Sequence, residues 1–274
     1  MKTDELRSVL KLYPSESFTE PCDHVLIRNG LCSERSFQTF IKNHKVEIYK
    51  ENEKPCDSSN SCSKILIHNR LQKINSDKSR IYIDGNEILN PKHLYILFNK
   101  PCGVVCSKVS DSHKTVFDFM GDEIKSHPFY EKLHSAGRLD SDSRGLVLLT
   151  TNGSFSNFLT SPETHEEKEY LIKLHSKVSK PEQNRYIKAF KNGLELPPEK
   201  KGYGFTTKPA HLEFLDSENE MSCKAFVRIS EGKFRQIRRM FFVLGNEVED
   251  LFRLKIGKIE HPENLSEGEY ISIG

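Results

Sequence analysis

The 274-residue chain has no apolar run approaching the ~18 residues a membrane helix needs. Its opening, MKTDELRSVLKLYPSESF, has no continuous apolar stretch of the kind a secretory signal carries, so a cytoplasmic protein is expected. Neither CxxC nor a paired HxxxH occurs. Seven scattered cysteines, with Cys56 and Cys62 six apart and Cys102 and Cys106 four apart, fit neither a zinc site nor a disulfide framework, and reduced thiols are expected. GxGxxG and GxxxxGK[ST] are also missing, which speaks against a nucleotide-cofactor fold. There is no internal repeat. A formal net charge of +2 announces no polyanion binder, so the distribution of charge has to be read instead.

What is present is an alternation of short strands and turns. Residues 1–20 are polar, carry Pro14 and Ser15, and predict a weakly ordered extension. From 22 to 49, Val25 and Leu26, then Phe37, Phe40 and Ile41, give helical spacings, with Ser33 a candidate cap for the second helix; KVEIY (45–49) then alternates as a strand does. Residues 51–64 read as a loop by composition. RIYIDG (80–85), HLYILFNKPCGVV (93–105, broken near Lys100, Pro101 and Gly103), GLVLLT (145–150), KEYLIKL (168–174), HLEFL (211–215) and KAFVRIS (224–230) read as strands. Residues 181–193 read as a helix, with Ser179 upstream and Gly193 as its stop. The absence of βαβ regularity predicts an α+β fold on a largely antiparallel mixed sheet with flanking helices.

Two stretches invite a chemical reading. GRLDSDSRGLVLL (137–149) sets Asp140 in a turn bounded by Gly137 and Gly145 and leading straight into a core strand. SEGKFRQIRRMFFVLGNEV (230–248) predicts a helix with Phe234, Ile237, Met240, Phe241 and Leu244 as an apolar stripe. Arg235, Arg238 and Arg239 share an adjoining face, and Gly245-Asn246 ends it. Lys224, Arg228, Lys233, Arg253, Lys255 and Lys258 flank it, so the C-terminal third holds a local positive field suited to a polyanion. Taken singly, these residues have ordinary explanations: a turn aspartate, a core tyrosine, a solvated charged face.

Together they resemble a family. NKPCGVVCS (99–107), GRLDSDSRGLVLLTTNG (137–153), SPETHEEKEYLIKL (161–174) and ISEGKFRQIRRMFFVLGNEVEDLFRLKIGKI (229–259) are similar, in order, to the successive motifs of the bacterial rRNA pseudouridine synthases of the RsuA type. FKNGLEL (190–196) and TKPAHLE (207–213) resemble the member acting on small-subunit rRNA. The resemblance covers residues 93–274. It implies a small RNA-binding domain over 21–90, after the 1–20 extension, and a catalytic domain over 91–274. The N-terminal part is the looser match: its opening reads PCDHVLIRNG, and an insertion-like stretch occupies 51–75. Arg28, Arg35, Lys42 and Lys45 are the candidates there for facing RNA. Ser143 stands where Thr is common, and Arg235 where His often stands.

The resemblance implies that Asp140 is the catalytic residue, Tyr170 the platform for the target uracil, and Arg238 the partner of the catalytic carboxylate. Arg138 is expected near the flipped nucleotide, and Lys100, Lys233, Arg235 and Arg239 on RNA. The implied reaction isomerises a uridine within 16S rRNA by base flipping. It needs no metal and no cofactor, and a cytoplasmic monomer with rRNA, free or in an assembling subunit, as partner is expected. A nearby arginine is expected to keep the carboxylate ionised in a closed pocket. Attack by Asp140 and proton abstraction by it both stay open. So do the same reaction on 23S rRNA, a non-catalytic RNA-binding assembly factor, and a module that binds a protein through the Phe-rich helix.

Overall fold

LYILF (94–98) and GLVLL (145–149) are apolar at consecutive rather than alternate positions, the pattern of a strand buried on both faces. In the computed structural model, which describes residues 3–52, 65–198, 203–215 and 221–273, they form the middle of the main sheet. Tyr95–Lys100 pairs antiparallel with Arg144–Thr150, Leu97 opposite Leu148. Ile96, Phe98, Val147 and Leu149 point into one core, and Tyr95, Leu97, Leu146 and Leu148 into another on the opposite face.

The path through this sheet runs His211–Phe214, Met221–Ile229, Lys168–Ser179, Val248–Ile256, Arg144–Thr150, Tyr95–Lys100, Tyr270–Ile273. Neighbours along it are antiparallel except Val248–Ile256 and Arg144–Thr150, which run parallel. The fold is therefore α+β on a mixed, mostly antiparallel sheet.

Helices α1 (Thr3–Leu10), α2 (Cys22–Arg28), α3 (Phe37–Asn43), α4 (Asp122–Lys125), α5 (Gly153–Thr160), α6 (Lys180–Asn192) and α7 (Gln236–Val243) are distributed around it. Tyr186 and Phe190 of α6 and Ile237, Met240 and Phe241 of α7 fill the first core, while Phe155 and Leu159 of α5 fill the second. Among the described residues no helix is long and apolar enough to cross a membrane.

Three expectations need correction. The N-terminal stretch is not weakly ordered: Leu6, Leu10 and Tyr13 are buried in the second core. Full burial of a leucine such as Leu6 contributes about 1.5–3 kcal/mol to holding this short helix on the sheet. The helix at 22–49 starts late, because Ser33 accepts the Ser36 amide at 3.1 Å in a turn and α3 begins only at Phe37. The basic helix is also shorter than 230–248: Arg235 adopts φ +47°, which no helix continues through, so α7 starts at Gln236, and Gly245 at φ +89° follows its end. Phe234 consequently lies outside the helix and is exposed.

A second, smaller sheet (Ile65–Leu66, Val46–Lys50, Ser79–Ile83, Asn86–Ile88) carries α2 and α3 over its own core of Val25, Leu26, Phe37, Ile48 and Ile81. Its last hairpin turns on Asp84 and Gly85, both at positive φ, the requirement of a two-residue turn that follows strand twist. Most of the 51–64 loop expected from composition lies outside the described residues. Arg28 is a further correction. Its guanidinium does not face solvent but is ion-paired to Glu20 and donates to Asn90 Oδ1 at 3.1 Å, and His93 joins Glu20 at 3.1 Å. Burial alone would raise the Glu20 carboxyl, but His93 and Arg28 override it and hold it at about 2.

Gly145 fixes the closest approach in the main sheet. It sits at φ +100° opposite Arg253 in the parallel pair, and a Cβ there would fall 2.6 Å from the Arg253 carbonyl oxygen. Gly145→Ala is expected to cost at least about 2 kcal/mol in denaturant unfolding. Gly153→Ala, where the same atom meets nothing within 4 Å, stays within about 0.5 kcal/mol. Equal stabilities would contradict the assignment.

Candidate active site

The turn at 137–143 joins the short strand His134–Ala136 to Arg144–Thr150, and polar contacts hold it from both sides. Arg253, almost fully buried, donates from Nε to the Leu146 carbonyl at 2.7 Å and from its NH1 nitrogen to the Arg138 carbonyl at 3.3 Å. The Gly103 amide donates to the Ser141 carbonyl at 2.7 Å, and Ser143 closes the turn onto the Asp140 carbonyl at 3.1 Å. Leu139 points into the core and Arg138 outward. Asp140, half-buried, then faces a cleft of about 510 Å³.

The cleft gathers most of the residues expected from the sequence: Arg138, Asp140, Tyr170, Lys233, Arg235 and Arg238 all line it. Tyr170 comes from the central strand Lys168–Ser179, held between Val227 and Arg253 on its neighbours, and is buried with only its cleft side open. Ile229, Ile237 and Leu251 add an apolar floor. An aromatic ring over an apolar floor, with a carboxylate and guanidinium groups at the rim, suits a flat polar ring attached to a phosphate chain.

Arg238 does not pair with Asp140. It donates to the carbonyls of Val248 at 2.6 Å and Asp142 at 2.8 Å, and its Nε lies 3.4 Å from the Asp142 carboxylate. Arg235 donates to the same carboxylate at 2.9 Å. Asp142 is thus the anion that anchors both arginines, while the Asp140 carboxylate has no hydrogen bond or ion pair among the described residues. Its acidity follows from that arrangement. Burial lifts the Asp140 carboxyl above its ordinary value, the Asp142 charge adds to the lift, and Arg235, Arg238 and Arg138 pull against it. The expectation that arginine dominates is corrected: desolvation is the larger effect.

Lys100 and Arg239 are not presented to the cleft either. Lys100 is fully buried and its ammonium donates to the carbonyls of Pro101 (2.9 Å) and Ser141 (3.4 Å), so it braces the turn. Arg239 is also buried, its guanidinium on the carbonyls of Pro197 at 2.6 Å and Tyr203 at 3.1 Å. Both were expected on RNA from the resemblance, and both end instead on carbonyl groups of irregular backbone. Asp142 is the site residue that sequence reasoning missed, and Arg253 was read only as part of the basic flank of the helix. The only signals were a second carboxylate two residues after Asp140 and an arginine in a strand among inward apolar residues. Among the described residues no group of three or more His, Cys, Asp or Glu is placed to hold a metal.

Comparison with known proteins gives the family. A family model described as RNA pseudouridylate synthase matches residues 94–242. The chain is 44% identical over 179 residues to the ribosomal small subunit pseudouridine synthase A of Pasteurella multocida, covering 65% of this chain and 69% of that one. It is 42% identical over 197 residues to the Haemophilus influenzae protein of the same name, covering 71% and 77%. It is 38% identical over 208 residues to that of Escherichia coli K12, covering 75% and 81%. Among solved structures, a crystal structure of a pseudouridylate synthase aligns with TM-score 0.58 and 34% identity over 92% of this chain and 94% of that one.

A carboxyl whose pKa is raised by folding destabilises the folded state once it is ionised. That cost is fully present above the folded pKa and disappears as pH falls below the unfolded value near 3.8. Asp140→Asn is therefore expected to melt higher than the parent at pH 7 and to converge with it below about pH 4. A variant less stable at pH 7 would contradict the unpaired, desolvated carboxylate.

Proposed function

The chain belongs to the RNA pseudouridylate synthase family, and we propose from that premise that it isomerises a uridine to pseudouridine in 16S rRNA, with Asp140 as the catalytic residue. The observation that carries the assignment of Asp140 is a desolvated carboxylate without a hydrogen-bond partner, facing a cleft with guanidinium groups at its rim and Tyr170 beside it. The small-subunit substrate rests on the names of the relatives.

The target uridine leaves its stack at a cost of a few kcal/mol. Stacking of its base on Tyr170 offsets about 1–3 kcal/mol of that. Asp140 then acts at the ribose, either attacking C1′, with its C1′–O bond breaking again as C5 bonds there, or taking a sugar proton that it returns once C1′ has bonded to C5. The bond from ribose C1′ to N1 breaks, the uracil turns, and C1′ bonds to C5. The C5 hydrogen departs as a proton and N1 gains one, so electrons and atoms balance without an oxidant. Arg238 and Arg235 act on Asp140 through their field, keeping enough of it ionised despite burial. Arg138 and Lys233 meet phosphates flanking the extruded nucleotide.

Residues 21–90 serve as the RNA-docking module, with Arg35, Lys42 and Lys45, all exposed, as its cationic face. The enzyme works as a cytoplasmic monomer on rRNA, free or in an assembling subunit.

The substrate is tested by mapping pseudouridine with a carbodiimide adduct that arrests reverse transcription. Cells lacking the protein and cells complemented with it are expected to differ at a single stop in 16S rRNA. A difference only in 23S rRNA moves the reaction to the large subunit. No difference in either would overturn the enzyme reading in favour of a binding factor.

A further inference from the structure

Exposed large apolar side chains gather around one short helix. Phe242 is 65% exposed, and Phe234 and Val243 are also open to solvent, all within ten residues of chain. The core does not use Phe242: its neighbour Phe241 is fully buried, with Met240 and Ile237 on the same inner side. Phe242 lies instead one turn beyond Arg238 on α7, four residues on, and Arg235 stands just before the first turn of that helix. These three, with Arg239, Glu247 and Val248, line a second pocket of about 290 Å³.

The two pockets are continuous in their lining, since Arg235 and Arg238 belong to both. A strand leaving the catalytic cleft past Arg235 therefore meets an aromatic face next. Guanidinium groups beside an exposed aromatic ring are a combination by which proteins hold single-stranded nucleic acid. Glu247 disfavours a phosphate deep in this pocket, which leaves the anion on the Arg235 side and the base over the ring.

We propose that Arg235, Arg238 and Phe242 form a second nucleotide subsite, in which the base of a nucleotide flanking the target uridine stacks on Phe242 while its phosphate meets Arg235. This rests on the RNA-isomerase reading given above. It makes the outer face of α7 part of the substrate path and gives the enzyme a contact with sequence beside the uridine. An unpaired flanking nucleotide satisfies the site; one held in a duplex does not, because its face is already stacked.

The test is single-turnover tritium release from a 16S rRNA transcript labelled at uracil C5, measured against enzyme concentration for the parent, Phe242→Leu and Phe242→Trp. Phe242 is exposed, so all three are expected to fold alike, checked by their melting temperatures. Phe242→Leu keeps apolar bulk and removes the ring. Its half-saturating concentration is expected to rise about fivefold or more, equivalent to about 1 kcal/mol, with the plateau rate unchanged. Phe242→Trp is expected to stay within about twofold of the parent. An unchanged half-saturation in Phe242→Leu overturns the subsite while leaving the isomerase intact. An equal loss in Phe242→Trp overturns it too. A parent that releases no tritium overturns the isomerase reading itself, and the subsite with it.

Discussion

The site depends on one buried guanidinium. Arg253 enters from the strand that runs parallel to Arg144–Thr150 and ties together the two shoulders of the turn, the carbonyls of Arg138 and Leu146. A hydrogen bond from a charged group contributes about 1.5–3 kcal/mol, so these two contacts constrain the turn. They also explain Gly145, whose missing side chain lets the two strands close to that distance. With the turn pinned there, Leu139 points into the core, and the residue after it faces the cleft.

The cleft asks two opposed things of Asp140. In the proposed reaction it must lose water to act on a buried sugar, and it must remain able to ionise. The structure meets the second demand at a distance rather than by contact. Asp142, not Asp140, anchors Arg235 and Arg238, so the arginines supply a field while the proposed reacting oxygens stay free of hydrogen bonds. A direct ion pair would have bound the carboxylate too well to leave it available to substrate. The carboxyl is displaced upward in pKa as a result, and the fold is expected to give up some stability to it, as active sites commonly do.

Much of this was legible in the chain. Consecutive apolar residues in LYILF and GLVLL foretold strands buried on both faces, and six of the eight residues singled out line one cleft. Local pattern does not report where a long cationic side chain ends. Lys100 and Arg239 carry the same charge as Lys233 and Arg235, yet they finish on backbone carbonyls that only the tertiary structure brings near. The pairing of Arg238 with Asp142 was hidden for the same reason, the two being 96 residues apart. The N-terminal helix was missed although its signal was present. Leu6, Leu10 and Tyr13 are spaced for one helical face, but Pro14 and the polar residues between them suggested a tail.

The central claim is that Asp140 is the reacting group in a cleft otherwise complete without it. The most direct measurement is release of tritium from C5-labelled 16S rRNA by the parent and by Asp140→Asn, with RNA affinity measured on the same preparations. The account predicts release by the parent, none above background by the variant, and RNA binding retained by both. Release by Asp140→Asn at a rate near the parent's would contradict it.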